Sequence, residues 1–286
     1  IVISPDTITK FLPIQQKGSN AEIVTQYEMH TVEQLGLLKM DFLGLRNLSI
    51  VDRTLELIGS ESLDIDNLKL DDEKTFKLFA EGKMTGVFQL ESRVAQSTSR
   101  SLKPKRFEDI VALVALIRPG PLGAGMHNEF ADRANNRKEI EYLHNDLESI
   151  LNETYGVILY QEQVMQIAEK IAGFNLQEAD NLRVAMGKKI PKVMEEQRKK
   201  FTDGAVSNNY SEQFAIELFD QIAYFAGYGF NKSHSVPYAL LAYQTAYLKA
   251  NYPAEYIAAC LTAVKRDKDR TAIFLSEARD MGVKVS

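Results

Sequence analysis

The sequence predicts a mainly α fold with a small β-containing piece at its N-terminal end, an α+β chain in class. Three observations lead there. Residues 1–45 hold short, partly alternating apolar runs, IVIS, EIVTQY and LLKMDFLG, separated by Pro, Gly and Asn, as strands and turns require. From about Leu48 onward, apolar residues recur at helical spacing. At 286 residues, 45% hydrophobic and 26% charged, the chain has globular composition and length for roughly one to three domains.

The helical elements follow in order. Leu48, Val51, Leu55 and Ile58 share one face before Gly59 ends the run. Phe107, Ile110, Val111 and Val114 repeat the pattern ahead of an RPGP turn at residues 118–121. Val164, Ile167, Ala168 and Ile171 mark another helix, stopped by Gly173. Asn175 with Glu178 forms a capping box for a helix that Gly187 closes, and Pro191 suits the first turn of the next. Ser211 opens a helix burying Phe214, Leu218, Ile222 and Phe225, with Gly227 at its end. Ser233 or Ser235 then caps a long apolar helix beginning near Pro237. No internal repeat or low-complexity tract interrupts the series.

Several classes are excluded or disfavoured. No apolar run reaches the roughly 18 residues of a membrane-crossing helix, and no membrane partner is expected. The single cysteine, Cys260, rules out an internal disulfide, and its setting in AEYIAACLTAV predicts a buried structural thiol. The opening IVISPD has neither an initiator Met nor a signal-peptide pattern, which predicts a segment of a longer polypeptide. A net charge of −5 argues on average against a nucleic-acid partner, but the charge is uneven. Residues 52–73 hold eight acids against two bases. Residues 93–106 hold five bases and no acid, and residues 183–200 seven bases against two acids.

Four segments carry residues suited to chemistry. In LLKMDFLGL a two-residue period sends Leu38, Met40 and Phe42 to one face and Lys39 with Asp41 to the other. An edge-strand salt bridge accounts for the pair on pattern alone; a Mg²⁺ carboxylate beside a phosphate-binding lysine is the sharper reading, and it needs at least one further acid. In NLRVAMGKKIPK, Arg183 with Lys188, Lys189 and Lys192 reads either as a solvated helix end or as a phosphate clamp. RVAQSTSRSLKPKR interleaves hydroxyls with Arg93, Arg100, Lys103, Lys105 and Arg106, which suits backbone phosphates and an exposed loop equally. FNKSHS places Lys232 and His234 at a helix start whose free N–H groups form an anion site. The other histidines, His30, His127 and His144, show no metal-ligand spacing, and no zinc motif, Walker loop or dinucleotide fingerprint is present.

Taken together, six blocks resemble the bacterial DNA polymerase III alpha subunit family, the C-family polymerases. They are LLKMDFLGLRNLSI (37–50), GVFQLES (86–92), ALVALIRPGPL (112–122), TYGVILYQEQVMQIA (154–168), AMGKK (185–189) and AGYGFNKSHSVPYALLAYQTAYLKANYPAE (226–255), in the family's order. The resemblance implies that residues 1–45 are the C-terminal part of a palm domain of the β-type nucleotidyltransferase fold, and residues 46–286 the helical fingers domain.

It further implies template-directed DNA synthesis with two Mg²⁺ ions, on primer-template DNA and deoxynucleoside triphosphates. Asp41 would be a catalytic metal ligand and Lys39 a catalytic lysine facing the phosphates. Arg183, Lys188 and Lys189 would contact the triphosphate, and His234 would lie near the incoming sugar as a gate against ribonucleotides. Asn231, Lys232 and Ser233 beside it would also bind nucleotide, and Arg93, Arg100, Lys103, Lys105 and Arg106 would contact DNA.

By resemblance, the partners are the remainder of the polymerase subunit, the sliding clamp and other replisome subunits, in the nucleoid-associated bacterial cytoplasm. The family's other two aspartates lie in a PDxDxDF motif that this sequence lacks, so the segment alone is expected to be inactive. Two departures stand out. Val184 replaces the second arginine of the family's LRRAMGKK, and RVAQSTSRS after FQLES is polar and poor in helix formers where the family has an apolar helical segment. A non-catalytic helical nucleic-acid-binding module is the competing reading.

Overall fold

The computed structural model describes residues 1–286 except 17, 19–20, 43, 60–62, 189–190 and 286, with the backbone alone described at Lys188 and Ala226. Its contacts divide the chain into two compact units, Ile1–Arg46 and Asn47–Ser286.

The N-terminal unit contains two antiparallel ladders. Strand β1 (Val2–Ile3) pairs with β4 (Leu38–Lys39), Val2 opposite Lys39, and the Ile1 backbone nitrogen donates to the Met40 carbonyl at 2.6 Å. Strand β2 (Ile14–Gln16) pairs with β3 (Ile23–Thr25). Between β3 and β4 runs helix α1 (Met29–Gln34), whose first N–H groups, on His30 and Thr31, donate to the Glu28 carboxylate. Among the described residues of this unit, Leu12, Val32 and Leu37 are the buried apolar ones, so the core they form is small, and the expected apolar face of β4 lies open: Leu38, Met40 and Phe42 are exposed.

The second unit is helical. Helix α2 (Arg46–Ile58) buries Ile50 and Val51 and ends at Gly59, whose φ of +67° suits a residue without a side chain. Asp72 caps α3 (Glu73–Glu81), accepting the Thr75 N–H at 2.8 Å.

Helix α4 (Arg93–Leu102) corrects the expectation drawn from composition, because RVAQSTSRS is helical despite its poor propensity. Ser92 caps it, and Ser99 gives its buried hydroxyl to the Phe79 carbonyl at 2.7 Å, so a cap and tertiary contacts outweigh intrinsic preference. Helix α5 (Phe107–Leu116) is buried from Asp109 through Leu116, and is therefore a central helix without a solvent face.

The RPGP segment is helical too: Pro119 is the first residue of α6 (Pro119–Gly123), where its missing N–H costs nothing, and α7 (Met126–Ala134) follows. After α8 (Glu148–Leu151), helices α9 (Gln161–Ala172), α10 (Leu176–Lys188), α11 (Pro191–Ser207) and α12 (Glu212–Ala226) surround one core that includes Ile167, Leu182, Phe201 and Phe219.

The expected capping box is present, with Asn175 N–H on the Glu178 carboxylate at 2.9 Å and Glu178 N–H on Asn175 Oδ1 at 3.0 Å. Gly187 does not close α10, which runs one residue further. Helix α13 (Lys232–Asn251) crosses the unit and packs on α5 and α3, contributing Tyr243 and Ala246 to a core shared with Phe79 and Leu113. Helices α14 (Pro253–Val264) and α15 (Lys268–Asp280) complete a third core with α2, where Cys260 lies buried and free as expected.

Candidate functional site

The segment FNKSHS forms the first turn of α13. Asn231 caps it, its Oδ1 accepting the His234 N–H at 2.8 Å, so the helix opens at Lys232 instead of near Pro237, and neither serine is the cap. Ser235 is buried and donates to the Val111 carbonyl at 2.7 Å, which pins α13 to α5. Pro237 sits inside the helix and, lacking an N–H, leaves the Ser233 carbonyl without its i+4 donor.

An anion already faces this helix start. The Glu162 carboxylate, from α9, accepts the Lys232 N–H at 3.0 and 2.9 Å, and the Lys232 ammonium pairs with Glu153 at 2.7 Å. The two segments are locked by a parallel bridge between Tyr160 and Phe230, with the Gln161 N–H on the Phe230 carbonyl at 2.9 Å and the Phe230 N–H on the Leu159 carbonyl at 3.1 Å. His234 is exposed, with its ring 4.4 Å from Tyr238 and edge-on to Phe230 at 5.4 Å.

Beside it lies Arg118, which motif spacing did not single out. Its guanidinium carbon stands 4.5 Å over the Phe230 ring. The placement depends on Gly120: a Cβ there would meet the Tyr228 ring at 2.4 Å, so only glycine lets the turn seat against the GYGF loop.

The basic stretch of residues 93–106 divides in two. Arg93, Arg100, Lys103 and Lys105 are exposed and make no ion pair with a described residue. Arg106 is committed internally, donating to Asp109 Oδ1 at 3.1 Å and to the Glu153 carbonyl at 2.6 Å, and lying 4.8 Å from the Tyr155 ring. The Tyr155 hydroxyl also donates to buried Asp109, at 2.8 Å; burial, with that carboxylate beside it, pushes its pKa up to about 12.

In the basic segment around α10, Arg183 pairs with Asp180 at 2.8 Å and Lys200 with Glu178 at 2.8 Å. Lys192 is exposed. Lys189 and the Lys188 side chain lie outside the described residues. An open groove of about 1060 Å³ between α7 and α12 carries Glu129, Asp132, Glu141, Glu217 and Asp220 against Arg133 and Lys138, a charge balance that disfavours phosphate.

In the N-terminal unit, the Lys39 ammonium donates to Asp41 Oδ2 at 2.7 Å, and the Asp41 side chain is 76% exposed. That hydrogen bond lowers the Asp41 pKa and raises that of Lys39. No group of three or more His, Cys, Asp or Glu among the described residues could hold a metal ion, so Asp41 offers one carboxylate and not a finished site.

A family model of the bacterial DNA polymerase III alpha subunit finger domain matches residues 47–209, and one of the bacterial DNA polymerase III alpha NTPase domain matches residues 1–44. The chain is similar to DNA polymerase III subunit alpha of Escherichia coli (strain K12), at 46% identity over 297 residues, and of Mycobacterium tuberculosis (strain ATCC 25618 / H37Rv), at 44% over 292. Both alignments cover 100% of this chain, but 26% and 25% of the respective relatives. The chain thus spans about a quarter of the length of the curated relatives it matches.

Proposed function

The chain belongs to the bacterial DNA polymerase III alpha subunit family, and from that premise we propose that it supplies the last part of the palm, residues 1–45, and the helical fingers, residues 46–286, of a template-directed DNA polymerase. The observation that carries this reading is the pairing of half-buried Lys39 with exposed Asp41, which presents an ammonium and a carboxylate side by side within the segment matched to the NTPase domain.

Asp41 contributes one carboxylate to the metal centre, which further acids must complete. Mg²⁺, when bound, neutralises charge at the reacting phosphates. Lys39 holds the carboxylate in its ionised form through their hydrogen bond and offers its remaining N–H donors to phosphate oxygens. Arg183, Lys188 and Lys189 bind the triphosphate, while Asn231, Lys232, Ser233 and His234 border the incoming sugar. Arg93, Arg100, Lys103 and Lys105 bind template or primer phosphates; Arg106 acts there chiefly by bracing Asp109. Primer-template DNA and deoxynucleoside triphosphates are the substrates, and the remainder of the subunit, the sliding clamp and other replisome components the partners, in the nucleoid-associated bacterial cytoplasm. The segment by itself does not catalyse.

The test is primer extension by the intact alpha subunit containing this chain, with Asp41→Asn beside it and DNA affinity measured in parallel. Loss of at least about a hundredfold in extension with DNA binding retained is expected for a metal-ligand carboxylate. Equal extension by the variant removes that role, and extension absent even in the wild type leaves a helical nucleic-acid-binding module.

A further inference from the structure

We propose that Arg118 is a phosphate-binding residue of the fingers, a role that rests on the polymerase reading for its substrates. The cation expected to serve at this place, Lys232, is occupied: Glu153 neutralises its ammonium at 2.7 Å, and the helix start behind it already carries the Glu162 carboxylate. An incoming phosphate meets two carboxylates there. Arg118, on the adjoining RPGP segment, is exposed, and its guanidinium makes no ion pair or hydrogen bond with a described residue.

Its position is fixed without using its donors. One face of the guanidinium lies 4.5 Å over Phe230, and stacking of this kind engages the π face while leaving the in-plane N–H groups free for a planar pair of oxygens. The backbone beneath is also set, by the rigid φ of Pro119 and by Gly120 seated against Tyr228. Phe230 is the shared neighbour, since its ring touches both the Arg118 guanidinium and the His234 imidazole at 5.4 Å. A phosphate held by Arg118 therefore lies next to the group placed near the incoming sugar. The geometry serves the triphosphate of a nucleotide and a backbone phosphate of the template strand alike, because the shared chemistry is a phosphate oxygen pair.

Single-nucleotide extension by the intact subunit, with dNTP KM and kcat measured separately, reads the first source. The affinity of primer-template DNA across a salt series reads the second. Arg118→Gln is expected to raise the dNTP KM about tenfold with kcat within about threefold, or to weaken DNA binding and reduce the salt slope by about 1. Arg118→Lys, which keeps charge but not the fork, falls between. Phe230→Leu, which keeps the arginine but removes its platform, gives a smaller shift of the same parameter. Because the side chain is exposed, the thermal midpoint of Arg118→Gln stays at the wild-type value. KM and DNA affinity both within twofold of wild type overturn the proposal. Extension that is absent overturns the polymerase reading instead, and extension indifferent to Asp41→Asn removes only the metal-ligand role; in either case the DNA series still decides Arg118.

Discussion

The Glu162 carboxylate and the Lys232 backbone meet at 2.9 Å, so the first turn of α13 is satisfied by an acid seventy positions earlier in the chain. Glu162→Gln keeps an acceptor oxygen but loses its charge at a helix N-terminus, and is expected to destabilise by about 0.5–1 kcal/mol. Glu162→Ala loses both, at roughly 1–2 kcal/mol. Urea midpoints of the two variants and the wild type give the comparison; equal midpoints show that the contact contributes nothing.

Lys249 is fully buried and satisfied three ways, by the carbonyls of Lys83 at 2.7 Å and Thr85 at 2.8 Å and by Glu277 at 2.6 Å. Lys249→Met strands a mostly buried carboxylate and two carbonyls, a loss on the order of 3 kcal/mol. Adding Glu277→Leu removes the stranded charge, so the double variant is expected to be more stable than the single one. A double variant weaker than Lys249→Met would show that the pair does not couple.

The Cys260 thiol is pushed up to about 12 by burial, so it stays protonated at any physiological pH. Iodoacetamide at pH 8.5 is expected to leave the folded protein unlabelled and to alkylate it in urea. The sign for stability follows: a group raised in the folded state stabilises fully below its ordinary value of 9.0, and that contribution falls away as pH rises toward about 12. Cys260→Ala is expected to lose part of that alkaline decline, read as the slope of unfolding midpoint against pH above 9.

The basic stretch of residues 93–106 separates into two behaviours. Lys103→Ala and Lys105→Ala are expected to lower the salt slope of DNA binding by about 1 each without moving the thermal midpoint. Arg106→Ala uncovers buried Asp109 and is expected to lower stability by roughly 2–4 kcal/mol. A thermal midpoint unchanged in Arg106→Ala would contradict the bracing role.

His234 borders Tyr238 and Phe230 with its ring exposed, a shape suited to steric selection. In the intact subunit, His234→Ala is expected to narrow the ratio of dNTP to rNTP incorporation by about tenfold or more. An unchanged ratio removes the gate.

What the sequence made legible was local. Asn175 and Glu178 cap each other within one turn, Ser211 caps its own helix, and Gly59 and Gly173 stop theirs, because each signal and its partner lie a few residues apart. What it hid was decided at a distance. Asn231, Ser233 and Ser235 are all competent caps; Ser235 is taken by the Val111 carbonyl and the helix start is held by Glu162, so the choice falls to Asn231. The helicity of RVAQSTSRS likewise depends on the Phe79 carbonyl, twenty residues upstream. Among the candidate site residues, charge was readable but availability was not. Lys232 carries the same sign as Arg118, yet its carboxylate, Glu153, lies seventy-nine positions earlier and is found only in three dimensions, whereas the Asp109 that engages Arg106 stands three residues on.

The proline within α13 has a mechanical consequence. This helix of 20 residues, about 30 Å long, is clamped at its far end by Lys249 and along its length by Tyr243. The rung missing at Ser233 falls in a first turn that outside elements hold, Val111 through the Ser235 hydroxyl and Glu162 through the Lys232 N–H, so the neighbours supply the restraint that the helix omits there.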